Sequence, residues 1–81
     1  MNQDLTKLSI AEFASLIRRN WAKVYFGAVP YLQAMASMDQ ITDNFGMDDG
    51  KSIVRYFLSN ATGFRGDVAK AVKAELKRRL K

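Results

Sequence analysis

The stretch KVYFGAVPYL, residues 23–32, decides the fold. Its Val, Tyr and Phe residues favour strands, and Gly27 near the centre could turn a short strand pair. Two features oppose that reading. Pro30 cannot donate to a strand ladder, and no second run of alternating apolar and polar residues completes a sheet. Read as helix punctuation, the same residues fit: Gly27 interrupts one helix, and Pro30 suits the first turn of the next, where a backbone N–H has no intrahelical partner to lose. The chain therefore reads as all-α.

Upstream, SIAE at residues 9–12 has the spacing of a capping box, with Ser9 accepting from a free helix N–H and Glu12 reaching back. Ile10, Phe13, Leu16, Ile17, Trp21 and Val24 then recur three or four residues apart, while Glu12, Arg18, Arg19 and Lys23 fall away from them. This predicts a helix over 10–25. Downstream, PYLQAMASM supplies Tyr31, Leu32, Met35 and Met38 to a second helix over 30–38. Residues 39–49 are rich in Asp, Asn and Gly and read as an acidic loop, with Ile41 and Phe45 tucked into the core. Asp48 or Asp49 is placed to cap a third helix over 50–60 that turns Ile53, Val54, Phe57 and Leu58 inward. Beyond NATGFRGD, residues 60–67, an apolar stripe of Phe64, Val68, Val72, Leu76 and Leu80 predicts a final helix over 65–80. The expected architecture is a small compact bundle of about four helices, a single helical domain over residues 1–81.

Composition narrows the function. With 81 residues, 48% of them hydrophobic, the chain can bury one modest core. No apolar run is long enough to span a membrane, and MNQDLTKLSI lacks the basic start and apolar run of a signal peptide, so the expectation is a cytoplasmic protein with no membrane partner. The formal sequon NAT at 60–62 is then incidental. The absence of His and Cys removes the imidazole base, the thiolate nucleophile and the usual zinc ligands. Asp48 and Asp49 suit a helix start better than acid/base work. GMDDGKS at 46–52 ends like a phosphate loop, but its spacing is one residue short, Phe45 stands where the first Gly belongs, and two Asp would repel phosphate. DNFGMDDGKSIV at 43–54 lacks the carboxylates an EF-hand needs. The reading is a non-catalytic protein without cofactor or metal.

Charge points to a partner. The net charge is +5, and residues 64–81 contain all of it, with seven cations against two anions, while residues 1–63 balance. At about 100° per residue, Lys70, Lys73, Lys77 and Lys81 fall within roughly 80° of one another on the final helix. With Arg65 they form a cationic ridge suited to an acidic partner, nucleic acid above all. Arg78, Arg79 and Lys81 are also explained by the negative end of a helix dipole, and Glu75 and Arg79 by an i, i+4 pair, which leaves Lys70 and Lys73 with the functional case. NATGFRGD admits a helix-turn-helix reading: Ser59 is the small residue of the first helix, Gly63 takes the left-handed turn position, and Phe64 and Val72 lock the helices. Ala69 and Gly66 fit that pattern poorly. The alternative is a protein partner or homodimer gripped by aromatic residues the bundle leaves exposed, with Trp21, Tyr25, Phe26 and Tyr31 as anchors.

PYLQAM at 30–35 and SIVRYFLSNATGFRGDVAKAVKAELK at 52–77 resemble small uncharacterised proteins encoded by bacteriophages and related mobile elements. The resemblance implies an accessory or regulatory protein that acts by binding, and it assigns no residue a role.

Overall fold

The computed structural model describes residues 4–81, the side chain of Phe45 apart. A single 3₁₀ turn, Leu5–Lys7, leads into α1, Ile10–Asn20, followed by α2, Val29–Met35; a two-stranded hairpin, β1 Asn44–Phe45 and β2 Asp48–Asp49; α3, Gly50–Ser59; and α4, Asp67–Leu80. Each helix packs on the next in sequence, and α4 closes the ring against α1. One core cluster fills the centre, built from Ile10, Phe13 and Ile17 of α1, Leu32 and Met35 of α2, Val54 and Phe57 of α3, and Val72 and Leu76 of α4. No helix among the described residues is long and apolar enough to cross a membrane.

The helix starts form as their sequences dictate. In the capping box, Ser9 Oγ accepts from the Glu12 N–H at 3.1 Å, and Glu12 Oε1 accepts from the Ser9 N–H at 3.0 Å. The next free N–H groups of α1, on Ile10 and Ala11, donate to the carbonyls of Asp39 and Met38. The segment after α2 thus seals the start of α1. Asp49 caps α3 by accepting from the Lys51 N–H.

Helix ends differ from the sequence expectation. α1 stops at Asn20, five residues short of the expected end, where the Asn20 side-chain amide donates to the Leu16 carbonyl at 2.8 Å. WAKVYF beyond it is dominated by aromatic and β-branched residues that lose rotamer freedom in a helix. Trp21 instead bends to extended angles and inserts its ring between Phe64, stacked at 5.4 Å, and Phe57, edge-on at 6.4 Å. α2 starts at Val29 with Pro30 in its first turn and ends at Met35.

Residues 39–49, expected as loop, hold the small hairpin. Gly46 opens its two-residue turn with φ of 63°, the position where a type II′ turn needs glycine. Ahead of it, Asp43 Oδ2 accepts from the Asp39 and Gln40 N–H groups at 2.9 and 3.0 Å, and these bonds hold its carboxyl below the usual carboxylate range. Ile41 is half-buried against the core as expected; the expected burial of Phe45 lies outside the described side chains.

α4 buries a different stripe from the one expected. Val68 is exposed, and Ala69 takes the inward position with Val72 and Leu76. Glu75 is buried beside them and is held by two arginines. Arg78 Nε and Nη2 donate to its two oxygens at 2.8 and 2.6 Å, and Arg79 Nε donates at 2.8 Å. Arg79 continues inward: Nη1 donates to the Leu8 carbonyl at 2.8 Å, Nη2 to the Leu5 and Thr6 carbonyls at 2.9 and 3.1 Å, and the guanidinium lies 4.8 Å from the Phe13 ring centre. This clamp ties residues 5–8 to the end of α4.

The clamp makes stability depend on acid. The Arg78 hydrogen bonds, opposed by burial and reinforced by Arg79, hold the Glu75 carboxyl down at about 2, against 4.5 in a free glutamate. Between those values the unfolded chain binds the proton and the folded chain does not, so the stabilisation is complete above the higher value and is lost as pH falls through the window. Urea denaturation of Glu75→Gln should therefore lose less stability between about pH 5 and pH 3 than the wild-type protein does. Equal losses would show that Glu75 does not titrate this way.

Candidate nucleic-acid interface

Gly66 sets the start of α4 from a left-handed φ of 110°, and no side chain caps the helix there. Its buried stripe then fixes what faces solvent. Lys70, Lys77 and Lys81 are exposed, and their side chains have no hydrogen bond or ion pair among the described residues. Seven and four residues apart, they lie within about 40° on one helix face, with roughly 10 and 6 Å of rise between them.

Lys73 is placed differently. Its ammonium donates to the Phe64 carbonyl at 2.7 Å and sits 5.8 Å from that ring's centre. Burial first, then the nearby charges of Lys77 and Arg65, lower its pKa. Lys73 therefore secures the 60–66 loop, and the expected ridge has a structural residue at its middle. Arg65 lies in that loop rather than in a helix, is exposed, and its Nε approaches the Thr62 carbonyl at 3.4 Å.

The helix-turn-helix expectation fails on geometry. Residues 60–66 separate α3 from α4, twice the length such a turn allows. Gly63, expected to be left-handed, has no positive φ; the positive angles fall at Gly46 and Gly66. Phe64 and Val72, expected to lock the helices, are buried, but Arg65 lies ahead of α4 and not on the turn that would meet base edges.

Among the aromatic anchors, Trp21 is only 7% exposed and belongs to the core, so it has no surface to offer a partner. Tyr25 and Phe26 do: their rings touch at 4.8 Å and are 48% and 79% exposed. Leaving a Phe in water forgoes about 2 kcal/mol of burial. Tyr31 is half-buried and meets Tyr56 at 5.6 Å. Together with Asp48 and Ser52 they line a groove of about 330 Å³ between α2 and α3. Tyr56 escapes sequence reasoning because nothing in its spacing distinguishes a tyrosine that walls a groove from one that stands alone in solvent. A second hollow of about 470 Å³ opens between Thr6, Glu12, Gln40 and Arg79, but its Glu12 and Arg79 are already engaged by the capping box and the clamp. Comparison with family models, curated proteins and solved structures finds no match to the chain.

Proposed function

We propose that the chain is a non-catalytic helical module that binds nucleic acid through the exposed face of α4 and the loop before it, with Arg65, Lys70, Lys77 and Lys81 contacting phosphates. The supporting observation is the lysine face itself: Lys70, Lys77 and Lys81 are aligned, exposed and free of partners among the described residues. All three belong to residues 64–81, the segment with seven cations against two anions. The resemblance noted above favours an accessory or regulatory role in a phage or mobile element.

Such binding is dominated by counterion release, so affinity should fall steeply with salt. Replacing Arg65, Lys70 and Lys77 with Gln should flatten the log–log salt dependence by about 2 to 3 and weaken binding by at least roughly tenfold. Fluorescence anisotropy across a salt titration reads both. Lys73 is left intact in this variant because its loss would disturb the 60–66 loop. Unchanged affinity in the triple variant would sink the assignment of the site.

A second reading, a protein partner or a homodimer, is favoured by the Tyr31–Tyr56 groove. Its aromatic walls and the Asp48 carboxylate suit a lysine or arginine side chain from the partner. Sedimentation at one constant mass over all concentrations would remove the homodimer.

A further inference from the structure

The topology sorts the loops to two ends. At one end the Arg79 clamp joins residues 5–8 to the close of α4. At the other, Trp21 after α1 stacks on Phe64 before α4, and a Cβ on Gly27 would lie 3.0 Å from Asn60 Oδ1. The 21–28 and 60–66 loops therefore lie side by side. Their shared end gathers cations from parts of the sequence that are far apart: Arg18 and Arg19 from the last turn of α1, Lys23 from the first loop and Arg65 from the second, all exposed. Asp67 is the single anion of the two loops and the first turn of α4. The exposed Tyr25–Phe26 pair lies on the first of these loops, two residues beyond Lys23.

We infer that this end of the bundle is a binding platform for single-stranded nucleic acid, with bases stacking on Phe26 and Tyr25 and phosphates held by Arg18, Arg19, Lys23 and Arg65. The inference rests on the nucleic-acid reading above and names its substrate. A duplex keeps its base faces stacked inside and offers a protein its phosphates and base edges. A single strand offers base faces and phosphates together, which is the combination this surface complements. The lysine face of α4 begins one turn beyond Arg65, so a strand leaving the platform meets Lys70 next. Both aromatic residues are on a loop whose fold is secured by Trp21 and by the Ala28 N–H donating to the Tyr25 carbonyl, so neither exposed ring is needed to form it.

The test uses fluorescein-labelled oligothymidylate and a duplex of equal length, with anisotropy read across a potassium chloride titration. Phe26→Ala should weaken oligothymidylate binding about tenfold and leave duplex binding and the melting temperature unchanged. Arg18→Gln with Arg19→Gln should weaken the single strand and reduce its salt slope by about 1. Equal effects of Phe26→Ala on both nucleic acids, or on neither, overturn the inference. If the duplex still binds through Arg65, Lys70 and Lys77 in that case, the broader reading survives alone. If the wild-type protein binds neither nucleic acid, both fall. Binding to phosphatidylserine vesicles that Phe26→Ala abolishes, with oligothymidylate binding untouched, assigns the platform to a lipid surface and also overturns the inference.

Discussion

Replacing Arg79 with alanine is expected to cost the fold about 2 to 3 kcal/mol, the range for losing hydrogen bonds to a charged, part-buried group. The side chain is 15% exposed and Glu75 only 9%, so water replaces little of what is lost. Removing it leaves the Thr6 and Leu8 carbonyls without their side-chain donor and the Leu5 carbonyl with the Leu8 N–H alone, uncovers the Phe13 ring, and leaves Glu75 with the more exposed Arg78 as its remaining partner. A domain of this size holds a total stability near the low end of about 5–15 kcal/mol, so the variant should melt at least roughly 8 °C lower. Arg79→Lys should recover only a fraction, because an ammonium cannot bond a carboxylate and three carbonyls with a planar fork. Urea denaturation measures both. A loss below about 1 kcal/mol for the alanine variant would place Arg79 among ordinary surface arginines.

Gly50→Ala should destabilise by about 2 kcal/mol, although helix propensity alone predicts a gain of nearly 1. Gly50 is the first residue of α3 and is buried. A Cβ there would lie 2.6 Å from the Ile41 carbonyl oxygen, closer still to that of Asp43, and 2.7 Å from Met38 Cε. The methionine can move, but the two carbonyls belong to backbone. Asp43 O already accepts from the Gly50 N–H at 2.9 Å, and Asp49 fixes the chain by capping α3, so relief requires moving the turn that also seals α1. Gly27→Ala is the informative contrast: its Cβ would meet chiefly the half-exposed Tyr25 ring, which can swing away. Denaturation midpoints should fall clearly for the first and little for the second; equal midpoints would refute the steric account.

What the sequence discloses is whatever local spacing encodes. The capping box at Ser9 and Glu12, the cap at Asp49 and the inward faces of α1 and α3 are complete within a few residues, and the structure matches them. Trp21 misleads because its spacing continues the apolar period of α1 while its ring is needed elsewhere, against Phe57 and Phe64. Val68 misleads because counting every fourth residue favours bulk, whereas the tight approach of α4 accepts Ala69. In the candidate site, Lys73 looks like a solvated cation since its partner is a backbone carbonyl, and a carbonyl leaves no mark in the amino-acid code; for the same reason the i, i+4 spacing discloses the Glu75–Arg79 pair but not the reach of Arg79 to Leu5 and Leu8. The gathering of Arg18, Arg19, Lys23 and Arg65 is hidden for another reason: it depends on helix direction, and a count along the chain assigns them to separate neutral and basic segments.

The clamp also governs the order in which the fold can assemble. Arg79 reaches Leu5 across 74 residues, so the contact closes a loop of almost the whole chain and forms only after α1 and α4 have been brought together. Its contribution should then arrive late in folding, which would put the energy it supplies mainly in the barrier to opening. Arg79→Ala should accordingly speed unfolding far more than it slows refolding. Residues 5–8 become the segment whose release precedes the rest, so the lifetime of the closed bundle is set at its seam.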